Sequence, residues 1–162
     1  MSLGVDWNPS GSADIFDELR TAAQVNETEF SGAIPDTEWI KMITVNPARA
    51  LALDAHVGRL APGLKADITI IKAKDAEPNK SLLQSHLQDV EMVWVGGNLL
   101  YANRPALDAL KPGRCEALLV HGSQKRICVK DTTPNIPKAA QTLEDIRSVL
   151  RANYPQLAPL TP

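Results

Sequence analysis

Ser2-Leu3-Gly4-Val5-Asp6-Trp7-Asn8-Pro9-Ser10-Gly11-Ser12 is the stretch that decides how the rest of the chain is read. Leu3 to Val5 reads as the last residues of a short buried strand, and Asp6 stands where that strand ends. Trp7 to Gly11 reads as a loop, and Ser12 is placed to cap a helix. A carboxylate at the C-terminal end of a strand, opening onto a loop and then a helix, is where a (β/α) barrel keeps its chemistry. The strands that would precede it lie nowhere in this sequence. The stretch therefore predicts the tail of a larger α/β architecture.

Working outward, Ile15, Phe16, Leu19, Ala22 and Ala23 share one helical face and predict a helix over 13–25. Asn26 to Pro35 reads as a loop. Asp36 is expected to cap a second helix with Trp39, Ile40 and Ile43 as its buried stripe. Asn46-Pro47 restarts the chain, with Asn as cap and Pro at the first helical position, for a short third helix to about Leu53. Beyond His56 the composition turns β-branched. Ala66 to Lys72 predicts a strand covered on both faces, and Ser81 to His86 is ambiguous, at most a helical turn. Val90–Val95 and Leu99–Tyr101 flank Gly96-Gly97-Asn98, a strong hairpin signal because a tight turn needs positive φ. A second hairpin is expected around Gly122-Ser123. Thr142-Leu143-Glu144-Asp145 resembles a capping box, with Leu143, Ile146, Val149 and Leu150 as the apolar face of a last helix stopped by Pro155. Helices, then strands, then one helix is an α+β order.

Composition narrows the function classes. The chain has 162 residues, 44% of them hydrophobic, which is enough for a packed core, and a net charge of -2 with no long run of one sign. That balance argues against a nucleic-acid or polyanionic membrane partner. No apolar run approaches the roughly 20 residues of a membrane span. No basic segment followed by an apolar core stands near Met1, so the cytoplasm is the expected location. Cys115 and Cys128 read as small buried side chains. The expected hairpin register sets them diagonally, about 7–8 Å apart and too far for an unstrained disulfide. Without a Cys-x-x-Cys pair, a structural zinc site is not expected.

Two blocks carry a resemblance. Thr44-Val45-Asn46-Pro47-Ala48-Arg49-Ala50-Leu51-Ala52-Leu53, followed by the run from Gly58 to Ile70 (GRLAPGLKADITI), resembles the C-terminal signature of the amidohydrolase superfamily. This group includes enzymes similar to imidazolonepropionase, cytosine deaminase and chlorohydrolases. Val93 to Leu100 is similar to the closing hairpin of that group, and Gly4-Val5-Asp6 to the end of its eighth barrel strand. The resemblance covers roughly residues 3–103 and rests on the paired blocks at the right separation.

The resemblance implies a (β/α)8 TIM barrel plus a small β-sandwich in the parent. This chain would be a truncated α+β piece: 1–54 the end of the barrel, 55–134 sandwich strands, 135–162 a C-terminal helix and tail. It implies a hydrolase of C–N bonds other than peptide bonds, with a small-molecule substrate and zinc or iron activating a water. Carried residue by residue, only Asp6 is implied as a metal-contacting and catalytic group. The family's histidine ligands lie upstream of that Asp, and His56, His86 and His121 have no spacing that substitutes for them. No metal is therefore expected in this chain alone, and activity in isolation is not expected.

Plainer readings stand beside these. Asp6 can equally be a loop carboxylate capping amides near Ser10 or Ser12. Asn8, Ser10 and Ser12 could line a substrate mouth in the parent, although turns and caps explain them as well. Trp7 and Trp39 read as packing residues rather than substrate platforms, Trp94 as sheet core, Asp67 as the holder of a turn, and Arg59 as a surface residue on the sheet. Apolar helix stripes without a barrel must fold onto the strands, pair between chains or stay exposed, so a homo-oligomer, most simply a dimer, is expected. A reading of a different class is a free-standing α+β interaction module that kept the sandwich as a scaffold.

Overall fold

The computed structural model describes residues 1–6, 11–103, 115–120, 122–129 and 141–156. Helix α1 spans Ile15–Phe30 and is followed by a 3-10 turn at Asp36–Glu38, α2 (Trp39–Ile43) and α3 (Val45–Ala50). Strand β1 (Ile68–Ile71), α4 (Pro78–Leu83), a 3-10 turn at Leu87–Asp89, β2 (Val90–Val95) and β3 (Asn98–Asn103) come next. Then follow β4 (Glu116–Val120), β5 (Ser123–Ile127) and α5 (Leu143–Asn153). The α+β order holds.

Local chemistry sets the helix ends, with some changes from expectation. Asp14, not Ser12, caps α1, its carboxylate accepting the Phe16 and Asp17 N–H groups at 2.8 and 3.1 Å. The helix continues past residue 25 to Phe30 and stops at Ser31, which takes the left-handed conformation at φ 52°. The extension is held by Asn26, 3% exposed, whose side chain accepts from the Ile34 N–H at 2.9 Å and donates to the Ile34 carbonyl at 3.0 Å. The α3 helix starts at Val45, so Asn46 lies inside it and is not its cap; its amide donates instead to the Met1 carbonyl. Asp36 accepts from the Trp39 ring nitrogen at 3.3 Å rather than capping backbone. Ser81 lies in α4, whose N-cap Glu77 accepts from the Lys80 N–H. Burial within α2 falls on Trp39 and Met42, whereas Ile40 stays 42% exposed.

The sheet is antiparallel throughout, in the order β1-β2-β3-β5-β4. Gly96 and Gly97 both have positive φ, at 56° and 81°, as the tight turn expected there requires, but Val95 pairs with Asn98, so the turn is two residues long and Asn98 belongs to β3 rather than to the turn. At the start of β1 Asp67 accepts the Gly96 N–H at 2.6 Å while the Ala66 carbonyl accepts that of Gly97. Asp67 thus holds a turn, as its position suggested. Two strand expectations change. β1 is an edge strand with Ile70 44% exposed, so it is not covered on both faces. Residues 3–5 form no strand, because no strand among the described residues offers them a ladder; the Leu3 N–H instead donates to the Met42 carbonyl at 2.9 Å.

The second hairpin is corrected in register. Val120 pairs with Ser123 and Glu116 with Ile127, so Cys115 falls opposite Cys128 rather than diagonal to it. The two form a disulfide with their Cα atoms 4.1 Å apart. The cause is the turn: Gly122 (φ 75°) precedes the first paired residue, Ser123, which enters the ladder rather than the two-residue loop the sequence suggests.

Helices and sheet share one core. Phe16 and Leu19 of α1, Trp39 and Met42 of α2 and Leu82 of α4 pack with Val90, and Ile71, Val93 and Tyr101 close it from the sheet side. The apolar stripes of α1 and α2 therefore fold onto strands, and Trp39, 1% exposed, is a packing residue. Trp94 is half-buried in β2. Arg59 belongs to the loop before β1, not to the sheet, and donates to the Asp54 carbonyl. Among the described residues no helix is long and apolar enough to cross a membrane.

Candidate functional site

The N-terminal segment that carries Asp6 is anchored at two points. Asn46 of α3 donates to the Met1 carbonyl at 2.7 Å, and Leu3 bonds to Met42 and packs at the margin of the core. These contacts bring the chain out of the α2–α3 surface and leave Asp6 exposed. Trp7, Asn8, Pro9 and Ser10 lie outside the described residues, so the expected loop from Asp6 to Ser12 is known only at its two ends.

Among the described residues, His56 and His86 form no metal-holding group with Asp6. His56 is exposed within the loop that follows α3, its N–H bonded to Leu53 and its carbonyl to Lys65. His86 is exposed before the second 3-10 turn, and His121 lies outside the described residues. No three His, Cys, Asp or Glu side chains among the described residues gather closely enough to hold a metal ion. A zinc centre normally takes three or four protein ligands. The described residues alone therefore do not fit one, and Asp6 supplies a single carboxylate.

A cleft of about 650 Å3 opens between α2, α3 and β1, a size within the range of small-molecule sites. Ile43, Pro47, Leu51, Val57, Leu60 and Ile68 contribute its apolar wall, and Asp6 is not among the lining residues.

The most organised charged group surrounds Asp89, 5% exposed. Its carboxylate meets the Lys74 ammonium at 2.6 Å and accepts the His86 N–H at 3.0 Å. Burial pushes the Asp89 carboxyl upward, but the Lys74 contact, the His86 N–H and the nearby positive charge outweigh it and hold the carboxyl below its ordinary value. A second buried charge is Lys125 of β5, 6% exposed, with Nζ 3.4 Å from the Val90 carbonyl and 5.8 Å from the centre of the Tyr101 ring. Burial, and then the charge of Glu91, raises the Tyr101 hydroxyl above its usual value. Sequence reading missed both groups. The His86–Asp89 spacing is that of a capped turn and could have flagged Asp89. Nothing in Ser123-Gln124-Lys125-Arg126 marks Lys125 as the inward residue.

A family model described as the amidohydrolase family matches residues 1–100, which include Asp6, the α2–α3 block, β2 and the first half of β3. This chain belongs to the amidohydrolase family. Within the family, it is similar to proteins named 5-methylthioadenosine/S-adenosylhomocysteine deaminase. That of Thermoanaerobacter pseudethanolicus is 32% identical over 114 residues, 64% of this chain and 26% of the relative. That of Desulfitobacterium hafniense is 35% identical over 113 residues, 64% of this chain and 26% of the relative. A 5'-deoxyadenosine deaminase of Methanothermobacter thermautotrophicus is 32% identical over 110 residues, 62% of this chain and 25% of the relative. The chain thus spans about a quarter of the length of these relatives.

Proposed function

We propose that this chain is the C-terminal part of an amidohydrolase that deaminates a small molecule, hydrolysing a C–N bond other than a peptide bond. The observation that carries the reading is the family match over residues 1–100, joined to relatives that bear deaminase names and are about four times as long as the matched region. The parent would be a TIM barrel with a β-sandwich, and the barrel part of this chain would end near residue 54. Asp6 would be its contribution to the reacting centre, contacting the metal and accepting a proton. Zinc or iron would be the parent's ion, and its other ligands would come from protein outside this sequence.

The chain alone is then inactive. Its partners are the rest of the enzyme, the small-molecule substrate and a second copy of itself, since Ile40, Leu51 and Leu60 leave apolar surface uncovered. No nucleic-acid or membrane partner is part of this reading, and its location is the cytoplasm. The test is ammonia release from 5'-deoxyadenosine with zinc or iron present. The chain alone should release none, and supplying the barrel segment should restore release, which Asp6→Asn then abolishes. Restored activity that survives Asp6→Asn would overturn the role given to Asp6.

A further inference from the structure

The family match ends at residue 100, and both cysteines of the chain lie beyond it. Their bridge joins the end of β5 to the start of β4, the edge strand opposite β1. Beside Cys115, the Glu116 carboxylate accepts the N–H of Leu143, the first residue of α5, at 2.8 Å. The first N–H groups of a helix have no partner within it. Glu116 thus adds a cap from β4 to the one Thr142 provides from α5's own entry. The α5 helix buries no side chain fully, and Ile146 and Val149 are 39% and 54% exposed. The Glu116 contact is one tie between the sheet and α5, beside the half-buried Leu143 and Leu150.

We infer that Cys115–Cys128 is a redox latch for the C-terminal helix. Closed, it pins the start of β4 to β5 and keeps Glu116 under the N-terminus of α5. Open, β4 frays from the sheet edge and α5 is released. Both cysteines are half-buried, Cys115 beside the edge strand β4 and Cys128 at the end of the interior strand β5, within reach of a small thiol or disulfide. Closure needs an oxidant of the class of glutathione disulfide. One protein thiolate attacks it and expels a glutathione thiolate, and the second protein thiolate then displaces the other. One protein S–S bond forms and one glutathione S–S bond breaks. Two electrons pass to glutathione, and the two protons of the protein thiols end on its two thiols.

The experiment equilibrates the full chain across a series of glutathione thiol to disulfide ratios. Alkylation and mass spectrometry count free thiols, and amide hydrogen exchange is followed segment by segment. Opening the pair should speed exchange in 116–120 and 143–153 together, by about tenfold or more, and leave β2 and β3 unchanged. Glu116→Ala should free α5 while the bridge stays closed. Three results would overturn the latch. The thiols could stay free at every ratio. The pair could close without protecting α5. Or reduction could loosen β2 and β3 as much as α5, which would make the bridge a general staple.

Discussion

Gly58 stands so close to Ala48 that a Cβ built on it would lie 2.6 Å from the Ala48 Cβ, and 3.2 Å from the Thr44 carbonyl oxygen. Gly58 also has φ 96°, where side chains other than hydrogen are strained. The close approach seats the loop after α3 against that helix and forms one side of the cleft against β1.

Gly58→Ala is therefore expected to destabilise the protein by about 2–3 kcal/mol, since strain and overpacking both act against it. Urea unfolding followed by tryptophan fluorescence measures this. Ala48→Gly in the same chain should recover part of the loss by removing the clashing methyl. It should leave the φ penalty in place.

The Asn26 side chain closes the loop after α1 through both of its polar atoms. Asn26→Ala leaves the Ile34 N–H and carbonyl without those partners and is expected to cost about 2 kcal/mol. Asn26→Asp keeps an acceptor for the N–H but sets a carboxylate against the Ile34 carbonyl. It should not restore stability. Thermal unfolding of the three proteins side by side distinguishes the outcomes.

Asp89 and Glu77 give a pH dependence of fixed sign. Both carboxyls sit below their ordinary values in the folded chain, Glu77 chiefly through the Lys80 N–H at the start of α4. A carboxyl with a depressed folded pKa contributes stability above its unfolded value and loses that contribution as pH falls through the folded one. Stability should therefore drop as pH is lowered below about 4. Asp89→Asn should flatten that drop and cost about 1–2 kcal/mol at neutral pH. Denaturant midpoints from pH 7 to pH 3 measure both. A midpoint for Asp89→Asn that falls as steeply as that of the parent chain would contradict the assignment.

Much of this architecture was legible because the chain states it locally. The Gly96-Gly97 pair required positive φ and has it. Thr142 and Asp145 exchange side-chain and backbone bonds as their spacing suggested. The Trp39, Leu19 and Phe16 positions followed from helical period alone. Non-local pairing was the part that could not be read. Whether Leu3 to Val5 becomes a strand depends on a neighbour, and the neighbour is a helix carbonyl. The register of the β4–β5 hairpin turned on which residue follows Gly122 into the ladder, and one step there moved Cys115 opposite Cys128. The family was readable from the paired blocks around Asn46-Pro47 and Gly58 to Ile70. Of a reacting centre the sequence offers one candidate, Asp6, and the further ligands that candidate calls for are set by non-local folding that a single chain segment does not spell out.

Turnover by the chain alone bears most directly on whether Asp6 is one member of a centre completed elsewhere. Purified chain, equilibrated with zinc or iron and given 5'-deoxyadenosine, should release no ammonia above the buffer blank. Sustained ammonia release by the isolated chain, lost in Asp6→Asn, would contradict the account.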